Sequence, residues 1–270
     1  MKEEVVTFDP ELVGVLTRPD GATDKPFVLI LNAGFVHRIG PGRLSVEMAR
    51  ELAAAGFPTL RFDLSGVGDS PVRVPPLDPA ATGIADTLAA MDYLSSAQGA
   101  RSFVILGLCS GARHAHNVAV ADPRVVGAAM LDGAVYSTVR ASVMKTLERV
   151  TPMRIARAAK RRLLRRLGLA ATPARQPELE AFFPSDLPRE RMAGELRTLA
   201  ARKVALLHVF SGEWDAYRYP GQHREAFREV PLDSVLTERR IPDADHLYLT
   251  KPERTELLET LKTWAQRRFA

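Results

Sequence analysis

The most constraining feature of this sequence is a short apolar run that ends in a turn flanked by two glycines. Residues 103–106, Phe-Val-Ile-Leu, are typical of a strand buried on both faces. The segment 107–111, Gly-Leu-Cys-Ser-Gly, follows directly, and small and apolar residues then return at helical spacing. A sharp turn between a strand and a helix strains its central residue, so the two flanking positions must be tiny. The pattern therefore predicts a strand–turn–helix unit that displays Cys109.

Two other interpretations of this turn remain open. If Ser110 stood at its centre, Leu108 and Ala112 would occupy the small positions, and Leu108 should collide with the turn. We therefore favour Cys109 as the nucleophile, with the Ser110 backbone N–H as one donor of an oxyanion hole. The alternative is a tight glycine turn around a structural cysteine, because an unpaired cysteine usually behaves as a small core hydrophobe.

Composition limits the classes of protein that this chain can belong to. The 270 residues are 46% hydrophobic and 26% charged, which is typical of a globular protein with a large core. No apolar run reaches the ~18 residues of a membrane span, and no secretory signal follows the acidic start. The single cysteine excludes an internal disulfide and a cysteine-built metal site. We expect a cytoplasmic protein without a membrane span.

Strand and helix patterns alternate through most of the chain. Apolar runs at 27–31, 59–62, 103–106 and 125–131 are separated by helical patterns, which predicts an α/β fold with a doubly wound, mostly parallel sheet. The alternation stops after residue 133 and resumes near residue 204. We therefore predict a core formed by residues 1–133 and 201–270, with a helical cap (lid) inserted at residues 134–200.

Two polar residues on later loops can complete a catalytic triad with Cys109. Asp215 follows the strand predicted at 204–210, and His246 follows the last strand. Nucleophile, acid and histidine then occur in this order along the chain, each on a loop that follows a strand. We expect His246 to take the thiol proton and Asp215 to orient the imidazole, with Glu213 as the weaker alternative for the acid.

Other titratable residues are weaker candidates. Asp243 and Asp245 are too near His246 in sequence to orient it. We expect His114 and His116 to be packing or solvent-exposed residues of the helix after the turn, and His208 to be a core histidine.

The loop after the first parallel strand should supply the second oxyanion donor. It reads Asn32-Ala-Gly-Phe-Val-His-Arg, and we expect the donor to be the backbone N–H of Gly34 or Phe35. The same loop carries His37 and Arg38. These two side chains either contact a carboxylate or phosphate of the substrate or serve a structural role.

Together these motifs resemble the α/β-hydrolase superfamily over nearly the whole chain. Residues 107–111 look like its nucleophile elbow, and residues 63–70, Asp-Leu-Ser-Gly-Val-Gly-Asp-Ser, look like its Asp-x-x-Gly-x-Gly-x-Ser turn. Residues 32–41 and 61–66 are similar to bacterial hydrolases associated with exosortase systems. The chain departs from the commonest pattern by carrying cysteine in place of serine. Dienelactone hydrolase, bile-acid acyl-CoA:amino acid acyltransferases and aminoacyl shuttles share that feature.

A cysteine nucleophile changes the expected chemistry. Its acyl intermediate is a thioester, which amines and thiols attack far more readily than they attack an ester. The resemblance therefore implies a hydrolase that acts as a thioesterase or acyltransferase on a substrate bound to coenzyme A or a carrier protein. A carboxyl ester or lactone hydrolase with the same triad is the first alternative. A non-enzymatic protein that binds a partner through its basic cap is the second.

The net charge of +5 comes from one segment. Residues 150–177 contain eight Lys or Arg and no acid, so the basicity is local and does not indicate nucleic-acid binding. Three roles fit this segment: a solvated amphipathic helix, a membrane-surface helix, or a dock for an anionic carrier. The docking hypothesis involves Arg161, Arg162, Arg165 and Arg166. The glycine-rich turns match no dinucleotide or Walker spacing, so we expect no cofactor and no metal; the sequence does not define an oligomeric state.

Overall fold

The computed structural model describes residues 1–8, 11–149 and 187–270 of the chain. Eight strands lie in these ranges: β1 (Lys2–Phe8), β2 (Leu12–Arg18), β3 (Phe27–Ile30), β4 (Thr59–Phe62), β5 (Phe103–Leu108), β6 (Val125–Leu131), β7 (Ala205–Ser211) and β8 (Leu236–Ile241). The helices are α1 (Leu44–Ala54), α2 (Pro79–Gln98), α3 (Ser110–Ala121), α4 (Val139–Arg149), α5 (Arg189–Ala201), α6 (Gln222–Ala226) and α7 (Lys251–Arg268).

All eight strands form one sheet in the order β1-β2-β4-β3-β5-β6-β7-β8. The β1–β2 and β2–β4 pairs are antiparallel, and every other pair is parallel. This confirms the predicted α/β fold with a mostly parallel sheet. The strand β5 lies in the interior of the sheet. The turn that follows β5 therefore lies among the carboxyl ends of the neighbouring parallel strands.

Helices cover both faces of the sheet and enclose two apolar cores. Phe103 and Ile105 of β5 belong to the core that includes residues of α2, α3 and α5. Val104 and Leu106 face the opposite core, which α1 and α7 complete. Alternate residues of β5 are thus buried on opposite faces, which explains why its sequence is continuously apolar.

The packing of α5 bears on the extent of the proposed cap. The described parts of residues 134–200 contain helices and no strand. However, α5 buries Met192, Leu196 and Leu199 in the core that also contains residues of α3. By its packing, α5 therefore belongs to the helical layer over the sheet. Its sequence did not reveal this because an amphipathic helix has the same pattern in a lid and in a sheet-covering layer.

In the described ranges, no helix has both the length and the apolar character needed to cross a bilayer.

Candidate active site

Cys109 occupies the apex of the turn between β5 and α3. Its backbone angles are φ 58° and ψ −116°, which a residue with a side chain adopts only at a cost. The flanking glycines make this turn possible. A Cβ atom on Gly107 would lie 2.1 Å from the backbone of Gly111, and one on Gly111 would lie 2.6 Å from the Asn32 carbonyl oxygen. The structure therefore bears out the steric reason for the two glycines and displays a half-buried Cys109 side chain.

The imidazole of His246 connects Cys109 to a buried carboxylate. His246 lies on the loop after β8, and its Nδ1 is 2.7 Å from Oδ2 of Asp132. The same ring forms a hydrogen bond with the Cys109 side chain. Asp132 directly follows β6 and is 1% exposed. The ends of β5 and β6, which are neighbours in the sheet, and the loop after β8 thus bring a thiol, a carboxylate and an imidazole into one chain of hydrogen bonds.

The Asp132 carboxylate is held in place by Ser211 at the end of β7. Its Oδ1 accepts the Ser211 backbone N–H at 2.7 Å, and its Oδ2 accepts the Ser211 hydroxyl at 2.7 Å. The Asp132 N–H in turn donates to the Val209 carbonyl at 2.9 Å. These bonds fix the direction in which the carboxylate faces His246.

The expected pairing of Asp215 with His246 does not occur in the structure, where Asp132 takes that position. Asp215 is exposed on the loop after β7. Its neighbour Trp214 turns inward, donates from Nε1 to the Gly133 carbonyl at 3.0 Å and stacks on the His246 ring at a centroid distance of 5.1 Å. Because Trp214 fills the space against the imidazole, the next side chain points away from it.

The alternative acid, Glu213, contacts His246 through the backbone. Its Oε2 accepts the His246 N–H at 3.1 Å, which positions the histidine loop and leaves the ring to Asp132. The sequence did carry a signal for Asp132, since it stands directly after the strand that follows the turn strand. The sequence alone could not show that the strand next to β5, rather than the following one, supplies the acid.

The environment of His246 favours its protonated form. The hydrogen bond to Asp132, then the hydrogen bond to Cys109, raise the pKa of His246 to about 10 against the opposing effect of burial. The imidazole is therefore a cation at neutral pH, held between the carboxylate and the sulfur.

The expected oxyanion donors lie beside the turn, but the Gly34 N–H has a partner. It donates to Oγ of Ser110 at 2.7 Å. The Ser110 backbone N–H lies at the first position of α3, where the helix itself provides no acceptor. Phe35 is 53% exposed, and it borders the same cavity as Gly34 and Ser110. Asn32 anchors this loop by accepting the Leu64 N–H at 2.8 Å and donating to the Val36 carbonyl at 3.0 Å.

Arg38 serves the structure of its loop. Its guanidinium pairs with the fully buried carboxylate of Asp63 and, at 2.6 Å, with Asp69. The Arg38 N–H also donates to Asp63 at 2.5 Å. These contacts favour the structural role for Arg38 over the substrate-binding one, while His37 is exposed beside it.

A largely apolar cavity of about 490 Å³ opens next to Ser110. Its wall is formed by the loops after β3 and β4, the start of α2, and α3. The lining residues are Gly34, Phe35, Leu64, Ser65, Gly66, Val67, Val72, Arg73, Pro76, Leu77, Pro79, Thr82, Ser110 and His114. The His114 ring packs against Gly83, where a Cβ atom would lie 2.1 Å from Nδ1. Burial lowers the pKa of His114.

Three further histidines, His116, His208 and His223, are buried. His116 is buried and its Nε2 is 2.8 Å from Glu195. His208 is a buried residue of β7, as expected, and its ring lies 4.3 Å from that of His223. The described residues contain no group of three or more His, Cys, Asp or Glu that could hold a metal ion. Arg161, Arg162, Arg165 and Arg166 lie outside the described residues.

Solved structures share this fold at low sequence identity. A serine hydrolase homologue from Coxiella burnetii is 15% identical, with a TM-score of 0.60 over 97% of this chain and 96% of that chain. An esterase from Pyrococcus furiosus is 14% identical, with a TM-score of 0.64 over 100% and 91%. The thioesterase domain of the curacin biosynthetic pathway is 14% identical, with a TM-score of 0.55 over 97% and 99%.

No curated protein matches the chain in sequence. The family model of the alpha/beta hydrolase family matches residues 28–256, which is most of the chain. That range includes the turn at Cys109, Asp132 and His246. The chain therefore belongs to the alpha/beta hydrolase family.

Proposed function

We propose that this protein is an acyl-transfer enzyme that forms an acyl-cysteine on Cys109 and acts on thioesters, as a thioesterase or an acyltransferase. The observation that carries this proposal is the hydrogen-bonded series from Asp132 through His246 to Cys109. A cationic imidazole beside a cysteine stabilises the thiolate, which is the nucleophilic form.

The proposed reaction has two halves. In the first, the Cys109 thiolate attacks the carbonyl carbon of the thioester, and the carbonyl oxygen becomes an oxyanion beside Ser110. The bond from carbon to the leaving sulfur then breaks, and the His246 imidazolium gives its proton to that sulfur. In the second half, neutral His246 takes a proton from water, an amine or a thiol as this acceptor attacks the acyl-cysteine. The Cys109 thiolate leaves, and the imidazolium is restored.

Two features support an apolar acyl group. The cavity beside Ser110 is lined by side chains such as Val72 and Leu77, and its dimensions suit a small-molecule ligand. Exposed apolar side chains also border the site. Phe35 stands on the loop that carries Gly34, and Leu247 follows His246 directly. We infer that these two side chains contribute apolar contacts to a bound acyl group.

An ester or lactone hydrolase with the same three residues is the second candidate. The fold shared with an esterase supports it. The two candidates differ in donor preference and in whether an added amine or thiol increases turnover. A non-enzymatic binding protein is the third candidate, and it predicts that Cys109 reacts with alkylating agents no faster than an ordinary buried thiol.

Intact-protein mass spectrometry with a panel of acyl thioesters tests the proposal. We expect a mass increase of one acyl group on the wild type and none on Cys109→Ala. A persistent adduct indicates a transferase that awaits its acceptor, whereas release of the donor thiol without an adduct, lost in Cys109→Ala, indicates a thioesterase. If no thioester gives either result while esters or lactones do, the second candidate replaces the first.

The basic segment suggests how the substrate is presented. The phosphates of coenzyme A or an acidic carrier protein would complement the charge of Arg161, Arg162, Arg165 and Arg166. Reversing these four charges should raise KM for a carrier-bound thioester and leave KM for a small soluble ester unchanged. An equal loss on both substrates would contradict the docking role.

A further inference from the structure

The hydroxyl of Ser110 occupies the hydrogen-bonding position of the Gly34 N–H, which was expected to bind the oxyanion directly. The Gly34 N–H, one of the two expected donors from its loop, donates to Ser110 Oγ at 2.7 Å. This is a short and therefore well-formed hydrogen bond between an amide and a hydroxyl. Before Gly34 could bind an oxyanion directly, this contact would have to break.

The hydrogen-bonding capacity of the hydroxyl shows what the contact achieves. A serine hydroxyl has one hydrogen to donate and two lone pairs that accept. One lone pair accepts the Gly34 N–H, and within the described residues no protein acceptor takes the hydroxyl hydrogen. Ser110, the residue that follows Cys109, also lines the apolar cavity. The O–H group can therefore turn towards a substrate oxygen in that cavity while Gly34 holds its oxygen in place.

We propose that the Ser110 hydroxyl is a catalytic residue that donates a hydrogen bond to the oxyanion, together with the backbone N–H of the same residue. This inference rests on the proposed acylation of Cys109. The Gly34 N–H then acts through the hydroxyl as a positioning group, because a hydrogen bond accepted by an oxygen polarises its O–H and strengthens it as a donor. One residue would thus supply two donors to the charge that develops on the carbonyl oxygen.

The size of the effect follows from oxyanion holes in general, where loss of one donor lowers kcat by about 10²–10³-fold. We expect Ser110→Ala to lower the acylation rate of Cys109 by about 10²-fold, with a much smaller change in KM. Ser110→Thr, which keeps the hydroxyl, should recover most of that rate. Thermal unfolding of both variants is measured alongside, so that a loss of folding is seen separately.

A substrate pair separates hydrogen bonding to the oxyanion from a structural effect. The probes are p-nitrophenyl butyrate and its thionoester, in which sulfur replaces the carbonyl oxygen and accepts hydrogen bonds poorly. The wild type should acylate faster with the oxygen substrate, and this preference should shrink in Ser110→Ala because the donor that distinguishes oxygen from sulfur is gone. A lower rate with an unchanged preference would indicate a structural role and overturn the proposal.

The outcomes also separate this inference from the proposed function. If the wild type acylates on Cys109 and Ser110→Ala is equally fast or faster, Gly34 binds the oxyanion directly and only the role of the Ser110 hydroxyl is overturned. If neither the p-nitrophenyl pair nor any thioester acylates the wild type, both proposals are overturned. In each case Cys109→Ala provides the baseline without a nucleophile.

Discussion

At the scale of single residues, Asp132 controls the protonation of His246. Asp132→Asn removes the negative charge that faces Nδ1 while keeping the size of the side chain. We expect the pKa of His246 to fall from about 10 towards 6.5 and acylation of Cys109 to slow by roughly 10³-fold. An NMR titration of the imidazole measures the first effect. The rate at which an alkylating agent modifies Cys109 at neutral pH reports the loss of nucleophilicity. It needs no known substrate, because the chain has a single cysteine.

Asp215→Asn is the matched control for this prediction. It makes the same chemical change on an exposed carboxylate of the neighbouring loop, where Trp214 separates it from the imidazole. We expect this variant to keep the wild-type titration of His246 and the wild-type alkylation rate. If Asp215→Asn were the damaging variant and Asp132→Asn were silent, the assignment of the acid from the structure would be wrong.

The sequence could predict those residues of the site that act on residues close to them along the chain. The two glycines around Cys109 act on the turn that contains them, so their spacing was informative. The link between His246 and its acid joins residues that are 114 positions apart. Both β6 and β7 are followed by an aspartate, at Asp132 and Asp215, and only the direction of each loop decides which one reaches the ring.

At the scale of elements, the strand–turn–helix unit depends on the absence of a side chain at Gly107. We expect Gly107→Ala to lower the free energy of unfolding by about 3 kcal/mol or more, since the new Cβ would overlap the backbone of Gly111. Gly194→Ala in α5 is the control because nothing lies within 4 Å of its Cβ position. There, alanine should be neutral or stabilising by up to about 1 kcal/mol. Urea unfolding measures both, and equal losses would contradict the steric explanation.

The contact of β7 with α6 contains two buried imidazoles without hydrogen-bond partners. None of the ring nitrogens of His208 and His223 has a partner among the described residues. Burial, and next His116, lower the pKa of His223 to about 3. The unfolded chain therefore binds protons more readily than the folded one below pH 6.5. The free energy of unfolding is therefore not reduced by His223 above pH 6.5, and it declines as the pH falls from 6.5 towards 3.

His223→Leu should remove the contribution of this residue to acid sensitivity. Each pH unit below 6.5 costs about 1.4 kcal/mol per such histidine, so at pH 5 we expect the variant to gain about 2 kcal/mol over the wild type. At pH 8 the residue at position 223 is neutral in both proteins. We therefore expect their free energies of unfolding to differ little, because replacing an unpaired buried polar group by an apolar one changes stability only slightly. Urea unfolding at pH 5 and pH 8 measures the difference. The same gain at both values would show that packing, rather than protonation, is responsible.

The elements themselves were largely predictable because each carries its pattern within a few consecutive residues. The apolar runs predicted as strands match β3, β4, β5 and β6 within two residues at each end. A pattern within a few consecutive residues does not show which other element a helix or strand packs against. The helix α5 has a buried stripe with the same spacing that a lid helix would have, and its place against the α3 layer depends on contacts with residues distant in sequence.

At the scale of the whole molecule, the residues of the site lie at the carboxyl ends of the parallel strands. The strands β5 and β6 end side by side, β7 contributes Ser211 beneath Asp132, and the loop after β8 carries His246 over them. The cavity lies on the other side of the turn, between α3 and the loops after β3 and β4. His246 thus lies at the ends of these strands, whereas Ser110, next to Cys109 in sequence, borders the apolar cavity.

This arrangement predicts that filling the cavity changes the preference for acyl length. Thr82 lines the cavity from α2, and Thr82→Phe places a ring in the space that a long acyl chain would occupy. We expect kcat/KM for a long-chain thioester to fall at least tenfold while that for an acetyl thioester stays near the wild-type value, because lost apolar contacts of a few methylenes amount to 1–3 kcal/mol.

The control is Thr260→Phe, which adds the same ring to a second cavity, between β8 and α7. That cavity is lined by charged residues such as Arg239 and Glu256, and none of its lining residues belongs to the cavity beside Ser110. Thr260→Phe should therefore leave the ratio of long-chain to acetyl activity unchanged. Should Thr82→Phe reduce both activities equally, or leave both untouched, the acyl group must lie elsewhere, and the side of the turn nearest His246 becomes the place to look.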